Sequence, residues 1–359
     1  MSRPALDAPR TDPTPIFEHF RGNHATELLT AAVAHFSLFG TLQREGPLTL
    51  GELRGALGLE ERPAIVLTTA LRAMGLLGDD GTGRIGLTDL AREHLVPGGA
   101  FDVGAYIGLM AESPGVLVMV ERLRTSRPAG SEPSGKGAAF IYREGIASAM
   151  ESAESARHLT LALAGRARNV APVLARNCRL GGARLLLDVG GGTGIYSIAL
   201  LQANPELRAI VWDRPEVLRV AREMAAEYGV SDRLECVSGD MFADEVPAGC
   251  DAMLLSNILH DWDVPECRTL LGRLAAALPA DGRLMIHDVF LDDSLDGPLA
   301  VALYSASLFS LTEGRAYSAA EYRAWLSEVG LEAGPVVPTL VHCGVLTAAR
   351  FSGKPSGRK

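Results

Sequence analysis

The chain has 359 residues, 47% of them hydrophobic, with a formal net charge of −9 and a sequence pI near 5.5. This length suffices for two domains with sizeable cores, and the acidic balance argues against nucleic acid or an anionic membrane as partner, because both require clustered lysine and arginine. The five cysteines show no C-x-x-C pair, which argues against a disulfide framework or zinc knuckle and favours the reducing cytoplasm.

The N-terminal part of the chain is predicted to be helical. Residues 1–15 are expected to be flexible, and they contain no apolar segment typical of a signal peptide. Apolar residues at helical spacing predict a helix over Phe17–Phe39. Shorter helices are predicted over Leu50–Leu57 and Pro63–Met74, followed by two brief strands around a Gly/Asp turn within residues 76–87.

This order of helix, helix and strand pair is typical of a winged helix, which either binds DNA or serves as a packing and dimerisation platform. The second helix has only Arg62 and Arg72 as nearby cations, too few to neutralise a run of phosphates. The sequence therefore favours a winged-helix-like dimerisation domain over residues 16–100. A helical linker or lid is predicted over residues 101–180.

Strands and helices alternate from residue 181 to residue 350, with a flexible tail predicted over residues 351–359. This alternation is typical of a doubly wound parallel sheet and predicts an α/β, Rossmann-like domain with seven strands. The predicted strands are Arg184–Val189, Leu207–Trp212, Arg233–Val237, Ala252–Ser256, Arg283–Asp288, Gly334–Pro338 and Val341–Ala348.

A glycine-rich loop follows the first of these strands. The strand ends at Asp188, and the loop contains Gly190, Gly191, Gly192 and Gly194. Glycines let a backbone turn tightly and approach a ligand at the N-terminus of the next helix. The dinucleotide fingerprint needs a further glycine where this chain has isoleucine, so the remaining pattern, Asp-x-Gly-x-Gly-x-Gly, indicates a site for S-adenosylmethionine (SAM).

Acidic residues follow the next two strands. Asp213 lies 19 residues beyond Gly194, where a carboxylate can accept both hydroxyls of a ribose; the alternative is a helix cap. After the third strand, Asp240 is predicted to bind the adenine amine, with Met241 and Phe242 against the faces of the ring. The alternative for these last two side chains is simple packing of the loop into the core.

His260 follows the fourth strand, in the crevice where open α/β sheets bind their ligands. An imidazole with an unperturbed pKa near 6.5 can take the proton of a phenol as the oxygen attacks. In the fifth strand, His287 precedes Asp288. Adjacent strand residues point to opposite faces, so these two are not expected to share a metal ion.

In this order, the motifs DVGGGTG, Asp213, GDMF and LHDWD resemble SAM-dependent O-methyltransferases of the caffeate and acetylserotonin type, which include bacterial antibiotic-tailoring enzymes. The resemblance implies a homodimer formed through the N-terminal domain, a small aromatic acceptor, SAM as methyl donor and S-adenosylhomocysteine as product. It also implies that His260 is the proton acceptor and that Asp288 orients it. The cofactor-binding residues implied by the motifs are Asp188, Gly190, Gly191, Gly192, Gly194, Asp213, Asp240, Met241, Phe242 and Ser256.

Two positions depart from the family pattern. Ser256 stands where relatives commonly have lysine or arginine, which implies a different contact near the methionine carboxylate of the cofactor. Ala316 stands where relatives often carry a second acid beside the base. The alternatives are therefore a C-methyltransferase or a non-methylating SAM-binding enzyme on the same fold, and, from another class, a winged-helix regulator with a ligand-sensing domain.

Three segments mix aromatic, methionine and small residues in the way that a pocket for a planar acceptor requires: Phe140–Met150, Ala162–Asn169 and Tyr304–Phe309. Ordinary core packing is the alternative for each residue in them. The sequence thus predicts the reaction class more closely than the acceptor.

Overall fold

The computed structural model describes residues 4–127, 153–178 and 180–350, and the packing of Cα atoms divides the chain into two compact units. The helical unit comprises Pro15–Ser148 and Leu291–Ser318. The sheet unit comprises Met1–Thr14, Ala149–Phe290 and Ala319–Lys359. The domain boundaries drawn from the sequence stay predictions.

The first part of the chain is mainly helical. Its elements are α1 (Thr14–Arg21), α2 (His24–Thr30), a π-helical turn (Ala31–His35), α3 (Leu38–Glu45), α4 (Leu50–Leu57), α5 (Glu61–Ala73), strands β1 (Leu77–Asp79) and β2 (Ile85–Leu87), α6 (Asp89–His94), α7 (Gly104–Ile107), a 3-10 turn (Gly108–Met110) and α8 (Pro114–Thr125). The two strands pair antiparallel, so the expected order of helix, helix and strand pair is present.

The predicted continuous helix over Phe17–Phe39 is wrong. The chain leaves the helix at Gly22, a residue that weakens helices, and turns again at Ser37, which has a φ of +47°. The apolar spacing misled because α2 and the π-helical turn each bury apolar residues in the core. By contrast, α4 begins and ends where predicted: a capping box joins Thr49 and Glu52, and Gly58 ends the helix at a φ of +67°.

The next part of the chain alternates strands and helices. Its elements are α9 (Ala153–Asn177), β3 (Leu185–Val189), α10 (Ile195–Ala203), β4 (Arg208–Asp213), α11 (Pro215–Glu227), β5 (Leu234–Ser238), β6 (Ala252–Ser256), a 3-10 turn (Leu259–Asp261), α12 (Val264–Ala277) and β7 (Arg283–Leu291). The chain ends with α13 (Leu299–Leu311), β8 (Tyr317–Ser318), α14 (Ala319–Glu328), β9 (Leu331–Pro338) and β10 (Cys343–Arg350).

Seven strands of the sheet unit lie in the order β5-β4-β3-β6-β7-β10-β9. Strands β3 to β7 are parallel, whereas β10 runs antiparallel to both of its neighbours. This confirms the α/β fold class, and each predicted strand of the sheet is present with its ends within three residues. The strand order reverses between β3 and β6, where such sheets bind ligands at the carboxyl ends of the strands.

The helical unit has its own apolar core. It contains Leu28 of α2, Leu67 and Leu71 of α5 and Leu123 of α8, and Phe309 of α13 joins them from late in the chain. In the described part of the chain, no single helix is both long and apolar enough to cross a membrane; Thr14–His35 and Leu38–Glu45 reach that length and composition only as a pair, bent by 55°.

Candidate active site

The glycine loop follows β3 and lies close to the segment after β6. Gly190 has a φ of +63°, and its N–H donates to the carbonyl of Trp212 at 2.8 Å. A Cβ atom at Gly190 would lie 2.6 Å from Cδ1 of Ile258, so a larger residue would displace the Ile258 side chain and strain the backbone at this positive φ. The absence of a side chain therefore lets the glycine loop meet the chain that leads to His260.

Asp213 closes the loop from the neighbouring strand. Its Oδ2 accepts the N–H of Gly192 at 2.8 Å, and its Oδ1 accepts the N–H of Arg214 at 2.7 Å. Burial raises the pKa of the Asp213 carboxyl above its ordinary value, against the effect of these two bonds. A Cβ atom at Gly192 would meet no atom within 4 Å, so open space lies beside the loop at this point.

Asp188 is fully buried beneath the loop. Ser197 donates its hydroxyl to Oδ2 at 2.6 Å, whereas Oδ1 has no hydrogen-bond partner among the described residues. Burial raises the pKa of Asp188 to about 7, and the charge of Asp213 adds to the rise. A Cβ atom at Gly191 would lie 2.6 Å from the Asp188 carboxyl carbon, so this carboxyl supports the underside of the loop.

The loop after β5 holds Asp240, Met241 and Phe242. Asp240 accepts the N–H of Phe242 through Oδ1 at 2.8 Å, which fixes the turn. The Phe242 ring packs edge to face on Trp262, with a centroid distance of 4.7 Å. The Met241 carbonyl accepts Nε of Arg273 at 3.0 Å. These contacts anchor the predicted adenine loop to the segment after β6.

His260 lies in the 3-10 turn after β6 and is buried. Its Nδ1 lies 2.5 Å from Oδ1 of Asp288 on β7, and its Nε2 lies 3.6 Å from Oδ1 of Asp261. Burial alone would lower the pKa of His260, but the two aspartates outweigh burial and raise it above the ordinary value. Burial also raises the pKa of Asp261, to about 6. The two residues predicted to carry the chemistry are thus in direct contact.

Ser256 and His287 form a second pair on adjacent strands. The Ser256 hydroxyl lies 2.8 Å from Nδ1 of His287, whose Nε2 lies 3.1 Å from the hydroxyl of Thr339. Burial, with Arg166 next in effect, lowers the pKa of His287 to about 3, so this imidazole is neutral. His287 and Asp288 have different hydrogen-bond partners.

Sequence reasoning missed a polar network beside these residues. Arg166 of α9 donates to Oδ1 of Asn257 at 2.8 Å and to the Cys343 sulfur at 2.9 Å. Asn257 has a φ of +57° and donates its amide to Ser256 at 3.1 Å and to the Tyr196 hydroxyl at 3.5 Å. An asparagine directly after a buried strand was a usable signal, because asparagine tolerates left-handed backbone. Arg166 falls within the predicted pocket segment Ala162–Asn169, but nothing in the sequence singled it out, because it reaches the site from a distant helix.

The three segments predicted to line an acceptor pocket fall in different places. Residues 162–169 lie on α9 and include Arg166, whereas residues 304–309 lie on α13 of the helical unit. The remaining segment, residues 140–150, lies wholly outside the described residues. The contact of Arg166 with Asn257 links residues 162–169 to the site.

Comparison with known proteins defines the class of this fold and site. A family model described as an O-methyltransferase domain matches residues 137–332. The chain is 36% identical over 320 residues to a 3-hydroxy-5-methyl-1-naphthoate 3-O-methyltransferase from Streptomyces sahachiroi, covering 89% of each chain. It is 47% identical to an O-methyltransferase family 2 protein from Planctomyces limnophilus, solved in complex with apigenin, with a TM-score of 0.87 over 98% of this chain and 99% of that one.

The chain therefore belongs to the O-methyltransferase family. It is an enzyme that transfers a methyl group from SAM to a hydroxyl. Among the alternatives left open by the sequence, these findings favour hydroxyl methylation, although position 316 lacks the acid that the family pattern led us to expect.

Proposed function

We propose that His260 is the general base of this methyl transfer and that the acceptor is a hydroxyl of a small aromatic molecule. The observation that carries the proposal is the 2.5 Å contact between Nδ1 of His260 and Asp288. A carboxylate at Nδ1 selects the tautomer with the proton there, which leaves the Nε2 lone pair to accept a proton. Asp288 then stabilises the imidazolium that forms.

The glycine loop and its acids fit the cofactor. Open space beside Gly192 leaves room for a ligand, and Asp213, which already accepts one N–H of the loop, has the acceptor oxygens that a ribose requires. The Asp240 turn with Met241 and Phe242 is the candidate adenine contact. We assign Asp188 to supporting the loop and Ser256 to the polar network next to the cofactor. SAM, when bound there, supplies an electrophilic methyl carbon on a sulfonium.

Within this arrangement the chain contributes alignment and proton transfer. Holding donor and acceptor in line is worth roughly 7–11 kcal/mol in well-oriented reactions. Removal of the hydroxyl proton by a positioned base adds about 10²–10⁴-fold. Because the His260 pKa is raised, we expect the acidic limb of the rate profile above the ordinary histidine value of 6.5, with turnover falling as His260 becomes protonated.

An aromatic acceptor is supported by the relatives. The Streptomyces sahachiroi enzyme is named for a hydroxynaphthoate, and the Planctomyces limnophilus structure contains apigenin. Both molecules are planar and carry hydroxyl groups on aromatic rings. The same class of acceptor is therefore the first to test with this chain.

The test replaces the base and measures binding and turnover separately. With apigenin and a 3-hydroxynaphthoate as acceptors, wild-type protein and SAM should give products heavier by one methyl group. His260→Ala should lower turnover about 10²–10⁴-fold while calorimetry shows nearly unchanged SAM affinity. His158→Ala, at an exposed position on α9, is the matched control and should leave both unchanged. Full turnover in His260→Ala, or an equal loss of binding and turnover, would refute the base role.

We further propose that the enzyme is a homodimer in which a second copy covers an apolar face of the helical unit. This face, here called the α7–α8 face, is formed by exposed apolar side chains: Phe101, Val103, Tyr106, Leu109, Met110, Leu117 and Val118. Tyr106 is 78% exposed and Leu109 is 77% exposed. Residues 101–110 carry a single charge, and extended apolar patches of this kind mark protein interfaces.

We also propose that the enzyme works in the cytoplasm. Its five cysteines all lie in the described part of the chain and form no disulfide there, and four of them are buried. Burial raises the pKa of Cys178 to about 12 and that of Cys250 to about 11. Thiols held protonated in this way suit a reducing compartment, where they need no disulfide partner.

A further inference from the structure

Tyr322 lies on α14 and is fully buried. Its ring is held edge to face by Phe290, at a centroid distance of 5.7 Å, and by Trp325, at 5.4 Å. Its hydroxyl donates to Oδ2 of Asp288 at 3.4 Å. The two aromatic contacts fix the ring, so the hydroxyl is directed at the carboxylate by packing.

The hydrogen bonds of Asp288 are divided between its two oxygens. Oδ1 accepts the N–H of Val289 at 2.8 Å and contacts Nδ1 of His260, whereas Oδ2 is the oxygen that Tyr322 reaches. A carboxylate held at one oxygen alone can still rotate about its Cβ–Cγ bond. The Tyr322 hydroxyl opposes this rotation, and the plane of the carboxylate sets the plane of the imidazole bound to it.

We propose that Tyr322 is a positioning residue for methyl transfer, because its hydroxyl holds Asp288 and thereby fixes the direction in which His260 presents Nε2. This inference rests on the proposed role of His260 as the base. Tyr322 does not touch the reacting atoms in this account; it acts through the carboxylate. Asp288 is the partner at Nδ1 of His260, so the way Asp288 is held affects the orientation of the imidazole.

Tyr322→Phe removes the hydroxyl and keeps the ring against Phe290 and Trp325. We expect turnover at saturating substrate to fall about 3–10-fold, with SAM affinity unchanged, because only the alignment of the base is lost. Removing a donor from Asp288 leaves more of its charge to attract the imidazolium. The acidic limb of the rate profile should therefore move to higher pH, by about half a unit.

A double-mutant cycle tests the route of the effect. If Tyr322 acts through Asp288, Tyr322→Phe should have no further effect on turnover in an Asp288→Asn background. Tyr228→Phe is the matched control: it removes a buried tyrosine hydroxyl just after α11, the end of that helix away from the carboxyl edge of the sheet. This control should keep the wild-type rate and pH profile.

The possible failures are distinguishable. Wild-type turnover and pH profile in Tyr322→Phe, together with lost turnover in His260→Ala, would overturn this inference and leave the base role intact. Full turnover in His260→Ala would overturn both. A Tyr322→Phe protein that melts far below the wild type, or effects of Tyr322→Phe and Asp288→Asn that simply add, would assign Tyr322 a structural role and also overturn the inference.

Discussion

Asp188 is an ionisable residue in a buried position, where its charged form lowers the stability of the folded protein. The carboxyl is fully buried, and burial raises its pKa from 3.8 to about 7. A folded-state pKa above the unfolded value means that the protonated form favours folding. The stability linked to this proton is fully present below about pH 4 and is lost as the pH rises through about 7.

Asp188→Asn should therefore remove a pH dependence from the stability of the protein. Between pH 5 and pH 8 we expect the free energy of unfolding of the variant to rise by about 2–3 kcal/mol relative to wild type. An asparagine NH2 group in place of the unpartnered Oδ1 carries a cost in stability that does not depend on pH. That cost cancels when the change between pH 5 and pH 8 is compared. Chemical denaturation of both proteins, without cofactor, at the two pH values measures it. Parallel stability curves would show that Asp188 is not protonated in the folded protein.

Among individual residues, the sequence predicted those site residues that lie next to the end of a strand. Asp213 and His260 could be placed because a buried apolar strand precedes each, and parallel strands bring their carboxyl ends to one edge. Tyr322 and Arg166 could not, because they reach the site from α14 and α9, whose rotation is set by packing on other elements. Arg166 falls within the predicted pocket segment Ala162–Asn169, but no local pattern singles out either residue.

At the scale of elements, the strands were predictable and the N-terminal helices less so. Strand β3 is a short apolar run between glycines, and such runs have one stable place, inside a sheet. In the helices α1 to α3, apolar residues keep a helical spacing across two helix breaks. This periodicity alone does not show where one helix ends and the next begins. Strand β7 continues to Leu291, three residues past its predicted end, and its pairing with β10 accounts for the first of these, Val289 opposite Cys343.

The loop between β3 and α10 offers a matched test of the cofactor site. Gly192 and Gly249 both have positive φ, of +60° and +79°, and a Cβ atom at either would meet nothing within 4 Å. Alanine at each position should thus lower stability by a similar amount, about 1–2 kcal/mol from backbone strain. Only Gly192→Ala places a methyl group in the space that we assign to the cofactor. We expect it alone to weaken SAM binding in calorimetry, by at least tenfold; equal SAM affinity in the two variants would contradict the assignment.

At the scale of the whole molecule, the chain order and the packing order differ. Helix α13 follows the parallel strands in sequence, yet its Ala306 and Phe309 belong to the core formed by α2, α5 and α8. Helix α13 is apolar on all sides, and its sequence predicted burial without saying in which core. Contacts with α5, more than 220 residues earlier in the chain, decide that question, and no local sequence pattern indicates them.

The α7–α8 face gives the last prediction. Leu109→Glu places a charge on this face at a residue that is 77% exposed, where a second copy would have to bury it, so we expect the proposed dimer to become a monomer at micromolar concentration in sedimentation velocity. Leu163→Glu is the matched control, because Leu163 is 56% exposed on α9 of the sheet unit. Both positions are solvent-exposed in the single chain, so circular dichroism should show both variants folded like the wild type. A wild-type protein that sediments as a monomer, or a control that dissociates as readily, would place the interface elsewhere.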